Sequence, residues 1–222
     1  MLIIPNLVDL KVFSGFDEAF KKVFKERYGL DGHRILLFTG STAGRGIEKL
    51  IRALPTIVSK VGKVKLVILG DAPNKVALTG LATSLGIGDH LIFAGTVEHE
   101  LVPSVISLAD LCVGPLIVGW FSLADVQRKI LEYMACGKPF VAARWAVSRD
   151  LLVDGETGIA VDDPDDAEEL ADKIAGILAD DGRREEMGEN ARKIVKALYD
   201  CNSPEVISRL RKAISSSIKP RL

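Results

Sequence analysis

RILLFTGSTAGRGIEKLIRALPTIVSKVGKVKLVILG, residues 34–70, decides the fold. It opens on RILLFTG (34–40), an apolar run too short for a core helix and too continuous for a strand with one wet face. A glycine-rich turn then leads into GIEKLIRALPTIVSKVG, where Ile47, Leu50, Ile51, Leu54 and Ile57 recur at helical spacing. VKLVILG (64–70) repeats the first run. Two predominantly apolar strands joined through a helix mark a sheet buried on both faces, and such sheets are parallel.

The alternation continues outward. DAPNKVALTGLATSLGI leads into a second helix, and HLIFAG (90–95) is a third strand. VEHELVPSVISLA reads as a third helix, DLCVGPL (110–116) as a fourth strand and PFVAAR (139–144) as a fifth. A short helix is expected around Ser148 to Val153, before TGIAV (157–161). DDPDDAEELADKIAGILADD carries acids at its start, as the helix dipole favours, and two further charged helices follow. The expected fold class is α/β, a Rossmann-like doubly wound parallel sheet with extra C-terminal helices. Ligands in such sheets bind beyond the carboxyl ends of the strands, which points to the segments after Gly40, Gly70, Gly95, Leu116 and Arg144.

Composition narrows the function. Of the 222 residues 48% are hydrophobic and 27% charged, as in an ordinary globular domain, and a net charge of −1 argues against nucleic acid as a partner. Cys112, Cys136 and Cys201 form no CxxC pair, and His33, His90 and His99 add no ligand spacing, so reduced thiols and no metal are expected. MLIIPNLVDLKVFSG lacks the basic leader of a signal peptide, and no run reaches the ~18 apolar residues of a membrane span, which predicts a cytoplasmic location. A basic C-terminal helix with Arg209, Arg211, Lys212, Lys219 and Arg221 is either a solvated face or a contact to a partner domain or the membrane periphery.

Three stretches carry candidate chemistry. GSTAGRG (40–46) lies between strand and helix, where glycines admit a ligand to the backbone and helix N–H groups meet a phosphate. It is neither a P-loop nor GxGxxG, which also disfavours a nicotinamide-dependent dehydrogenase; Arg45 gives it a cation suited to phosphate. Asp71 in VILGDAPNK (67–75) either approaches a nucleotide or caps the next helix. In KILEYMACGKP (129–139), Glu132 either pairs with Arg128 or Lys129 on a wet helix face or accepts two vicinal hydroxyls of a sugar.

In order, FTGSTAGRGIEKLI, VILGDAP, IFAGTVEHELVPSVISLADLCVGP, KILEYMACGKPFVAA and LLVDGETGIAV resemble the carboxyl-terminal domain of glycosyltransferase family 4, from about IPNLVD at residue 4 to Tyr199. Members are retaining enzymes of two Rossmann-like halves, the GT-B architecture, and the resemblance implies a nucleotide-diphospho-sugar donor, UDP- or GDP-linked, with no other cofactor. The family's arginine and lysine after the first strand hold the diphosphate. Arg45 matches the lysine, while Ser41 stands in place of the arginine beside Gly40. The resemblance also implies donor contacts at Gly70, base contacts through the backbone of Thr96 and Val97, and a ribose contact at Glu132. The family's partner glutamate, separated from it by seven residues, falls on Ala124, with Asp125 as a substitute and Val126 and Gln127 offering N–H groups to a phosphate. The implied division is 1–33 linker-like segment and leading helix, 34–199 nucleotide-sugar-binding domain and 200–222 basic helix, with an amino-terminal acceptor domain supplied in cis or in trans. A degenerate, non-catalytic sugar-nucleotide-binding or interaction subunit is the alternative.

Overall fold

The computed structural model describes residues 5–117 and 127–217. Six parallel strands, β1 (Arg34–Thr39), β2 (Val64–Leu69), β3 (Leu91–Gly95), β4 (Leu111–Val113), β5 (Phe140–Ala143) and β6 (Gly158–Val161), form one sheet in the order β3-β2-β1-β4-β5-β6. The helices are α1 (Glu18–Tyr28), α2 (Ile47–Val61), α3 (Lys75–Ser84), α4 (Val102–Ser107), α5 (Arg128–Ala135), α6 (Ala167–Leu178), α7 (Asp181–Leu198) and α8 (Pro204–Ser217). The expected Rossmann-like α/β fold is the observed one.

Alternation along each strand explains why the runs are apolar throughout, since successive side chains point to opposite faces. Leu37, Val67, Cys112 and Phe140 join a core with residues of α1, α4, α5 and α7. Leu36, Phe38, Leu66, Ile68, Val113 and Val141 join a second core with α2, α3 and α6. The strand order reverses between β1 and β4, and this opens a crevice at their carboxyl ends, facing the start of α5.

Acids at helix starts act as read. Asp166 accepts from the N–H groups of Glu168 and Glu169 at 3.0 Å, and Asp17 from that of Phe20 at 2.9 Å. The segment before α1 is tied to the end of α7 by Val8, whose N–H donates to the Tyr199 carbonyl at 3.0 Å. Burial pushes the Cys112 thiol up and the Cys136 thiol up to about 12, so both are packed as reduced, unreactive groups.

Local structure departs from expectation in three places. Residues 148–153 form a turn, not a helix, because the Thr157 hydroxyl takes the Val153 N–H at 2.9 Å and donates to the Leu151 carbonyl at 2.7 Å. The fourth strand ends at Val113, as Gly114 and Pro115 follow and Pro115 has no N–H for a ladder. The third helix is split into a 3-10 turn, His99–Leu101, and α4 with a proline in its first turn.

Candidate functional site

The crevice holds a cavity of about 350 Å³. Thr39 and Gly40 reach it from β1, Leu69 and Gly70 from β2, Thr96 and Val97 from beyond β3, and Arg128, Lys129 and Glu132 from α5. His99 and Val102 close the far wall. Five of the residues singled out in the sequence, Gly40, Gly70, Thr96, Val97 and Glu132, are therefore brought to one cavity from four elements.

Its base is glycine backbone. Hydrogen bonding continues past the strand ends, from the Gly40 N–H to the Leu69 carbonyl at 2.8 Å and from the Gly70 N–H to the Gly95 carbonyl at 2.7 Å. Ser41 is exposed on the turn that follows. Arg45 sits at the end of that turn, and its carbonyl accepts from the Leu116 N–H at 3.0 Å, which fixes the turn to the segment beyond β4. Asp71 does not cap α3, which begins at Lys75 with Asn74 before it; Asp71 is exposed, and its carbonyl accepts from the Thr42 N–H at 3.1 Å.

Glu132 begins the second turn of α5, and its side chain is 15% exposed while that of Arg128, 3.9 Å away, is 68% exposed. The i,i+4 pair exists, but the carboxylate is inside the cavity and only its partner is on a wet face. Burial pushes the Glu132 carboxyl up, against the lowering influence of Arg128, His99 and Lys129. A carboxylate so placed has unused acceptor capacity, which suits a ligand carrying hydroxyls.

Lys129 was legible only as a partner for Glu132 on a solvated face. It is instead mostly buried, with its ammonium 3.8 Å from the centre of the Phe38 ring. The same nitrogen lies 3.5 Å from where a Cβ on Gly40 would stand. Burial first, and the charge of Arg45 second, push its pKa down to about 7. His99, packed edge-on against Phe13 at 5.9 Å, was likewise not singled out as a site residue.

Gln127 precedes α5 without capping it, and its side-chain amide donates to the Ala146 carbonyl at 3.4 Å. Ala124, Asp125 and Val126 lie outside the described residues, as do Lys219 and Arg221. Arg209 is used internally, donating to the Leu198 carbonyl at 2.5 Å near the end of α7. Among the described residues, no helix is long and apolar enough to cross a membrane.

Tyr133 holds the site's two halves together. Its hydroxyl accepts from the Thr39 N–H at 2.9 Å and donates to the Val113 carbonyl at 3.3 Å, bridging β1 and β4 from within α5. Tyr133→Phe leaves a buried N–H without its acceptor and is expected to cost about 1–3 kcal/mol. Urea unfolding should give a lower midpoint at unchanged slope; an unchanged midpoint contradicts the bridge's role.

Comparison with known proteins gives a consistent picture. Residues 20–194 match the model of the family described as glycosyl transferases group 1. The chain is 34% identical to an alpha-D-kanosaminyltransferase of Streptomyces kanamyceticus over 187 residues, 84% of this chain and 47% of that protein. It is 31% identical to a GDP-mannose-dependent alpha-(1-6)-phosphatidylinositol monomannoside mannosyltransferase of Mycolicibacterium smegmatis, over 85% of this chain and 50% of that protein. The chain thus spans about half the length of these curated relatives. Among solved structures, Anabaena HepE in complex with UDP superposes with a TM-score of 0.78 at 22% identity, covering 97% of this chain and 57% of that one. The C-terminal domain of a group 1 glycosyl transferase family protein from Francisella tularensis, crystallised as such, matches with a TM-score of 0.72 at 22% identity, covering 88% of this chain and all of that one.

Proposed function

The chain belongs to the group 1 glycosyl transferases, and from that premise we propose that it is the donor-binding half of a retaining, family-4 enzyme of GT-B architecture. The donor is a nucleotide-diphospho-sugar, UDP- or GDP-linked, and the product is a hexosyl group on a hydroxyl acceptor. One relative's name specifies GDP-mannose, which keeps a guanosine donor beside a uridine one. The observation that carries the proposal is the convergence of Glu132, Arg128, Lys129 and glycine backbone on one cavity at the sheet's switch point.

In this reading Glu132 accepts the two ribose hydroxyls, the backbone at Thr96 and Val97 meets the base, and Gly40, Ser41 and Gly70 admit the diphosphate close to the sheet edge. Arg45, with the N–H groups around Asp125, Val126 and Gln127, faces the phosphates. Transfer forms a bond from the acceptor oxygen to the anomeric carbon as the bond to the diphosphate breaks; the acceptor gives up its proton and the nucleoside diphosphate departs. Cations already in place stabilise the charge that develops on that leaving group. The acceptor is held by an amino-terminal domain, in cis or in trans, with residues 1–33 as the linker-like approach, 34–199 as the donor domain and 200–222 as the basic helix. The proposed setting is cytoplasmic, with any membrane contact peripheral.

Calorimetric titration of the chain with UDP, GDP and ADP tests the reading. Saturable binding of one of them is expected, and no binding of any removes it. Ala124, where the family carries a glutamate, favours a second reading as a binding subunit without turnover. A transfer assay with the nucleotide-sugar of the preferred base, in the presence of the acceptor-binding domain, separates the two.

A further inference from the structure

The turn after β1 carries one cation where the resembled family carries two, because Ser41 is neutral and exposed. The cavity wall itself nevertheless carries cations from α5, the exposed Arg128 and the mostly buried Lys129. The ammonium of Lys129 stands over the Phe38 ring at 3.8 Å, beside Gly40, on the cavity wall and close enough to Arg45 to feel its charge. Among the described residues it makes no ion pair, and its only nearby carboxylate is Glu132, one turn on in the same helix. A mostly buried ammonium held beside a second cation without an anion of its own is a site awaiting one.

We infer that Lys129 supplies the diphosphate with the cation that Ser41 lacks, delivering it from the first turn of α5 and not from the β1 turn. The inference deepens the donor-binding reading and rests on it. An aromatic ring and a glycine fix the ammonium's position: it stands over the face of Phe38, and the missing side chain of Gly40 leaves the ammonium beside bare backbone.

A lysine in this place differs from an arginine in one measurable respect. Arginine stays charged, whereas Lys129 is pushed down to about 7 in the free domain. The groups facing it are Arg45 from the β1–α2 turn, Glu132 and Arg128 from its own helix, and His99 from the opposite wall. A bound diphosphate adds two or more negative charges and raises the lysine's pKa, so binding near neutral pH takes up a proton. Affinity is therefore full below pH 7 and declines as pH rises above it, up to the pKa in the complex.

The experiment uses the whole chain and whichever of UDP, GDP or ADP it binds best, with the matching nucleoside and inorganic pyrophosphate as further probes. For the wild type, affinity for the nucleotide should drop at least several-fold between pH 7 and 9, with proton uptake visible as a buffer-dependent binding heat. Lys129→Met, which keeps the stem over Phe38, should bind the nucleotide about tenfold or more weakly at pH 7, lose the pH slope and leave nucleoside binding unchanged. Lys129→Arg should retain affinity and flatten the slope. If the wild type binds the nucleotide but Lys129→Met matches it in affinity and pH profile, the inference fails and the donor-binding reading stands. If no nucleotide and no pyrophosphate binds the wild type, the reading fails and takes the inference with it. A nucleoside affinity that falls in parallel with that of the nucleotide would assign Lys129 to pocket shape and also overturn the inference.

Discussion

Glu132→Gln is expected to weaken nucleoside-diphosphate binding about 10- to 100-fold while leaving the unliganded chain at least as stable as the wild type. The first half follows from losing charge-assisted acceptance of two hydroxyls, worth about 1.5–3 kcal/mol. The second follows from burial. The carboxyl is pushed up by desolvation, and its one ion pair is with an Arg128 side chain that is mostly in solvent. An acid raised in the folded state holds its proton more tightly there than in the unfolded chain. Its contribution is therefore favourable at low pH and is lost as pH rises through the folded value, so near pH 7 the ionised group costs stability. Gln removes that cost at nearly constant volume. Thermal melts from pH 4 to 8 should show the variant gaining on the wild type as pH rises, while calorimetry shows the loss of affinity. A variant that unfolds, or binds as tightly as its parent, contradicts a carboxylate kept at a cost for a ligand.

How much of this could be read beforehand depends on which residues decide each feature. The sheet was legible because Arg34–Thr39 and Val64–Leu69 are buried on both faces, and continuous apolarity records that directly. Glu132 was conspicuous because one acid stands among Ile130, Leu131, Tyr133 and Met134, all fully buried. Lys129 was not, because a helix sequence does not say that a β1 phenylalanine lies under one of its lysines; that contact joins residues 91 positions apart. The turn at 148–153 departs from its expected helix for a different, local reason. Its backbone groups are claimed by the hydroxyl of Thr157, which bonds to Val153 and Leu151 within the same short segment. Local propensity describes what each segment prefers; a side-chain hydroxyl overrules it at 148–153, and the packing of α5 on β1 decides the surroundings of Lys129.

Gly70→Ala is expected to cost about 2–5 kcal/mol, the largest stability loss of any single change to the cavity's base. Gly70 lines the cavity, and its backbone by itself requires a glycine there. Its φ of 130° is a conformation that side-chain-bearing residues rarely adopt, at a price of about 1–3 kcal/mol. A Cβ there would also stand 2.6 Å from the Gly40 carbonyl oxygen, against backbone that has no rotamer to yield. Relief requires β1 and β2 to part at their carboxyl ends, where the Gly40 and Gly70 N–H groups extend the ladder. The separation would widen the cavity and carry Gly40 away from Lys129. Gly44→Ala provides the control within the adjoining loop, since Gly44 also has a positive φ of 62° but nothing within 4 Å of a Cβ. It should cost only about 1–2 kcal/mol. For a chain of this size the two variants should differ in Tm by several degrees, with nucleotide affinity falling in Gly70→Ala and holding in Gly44→Ala. Equal melting temperatures would mean that the strand ends are free to move apart, and then a cavity held by backbone contact between Gly40 and Gly70 is the wrong description.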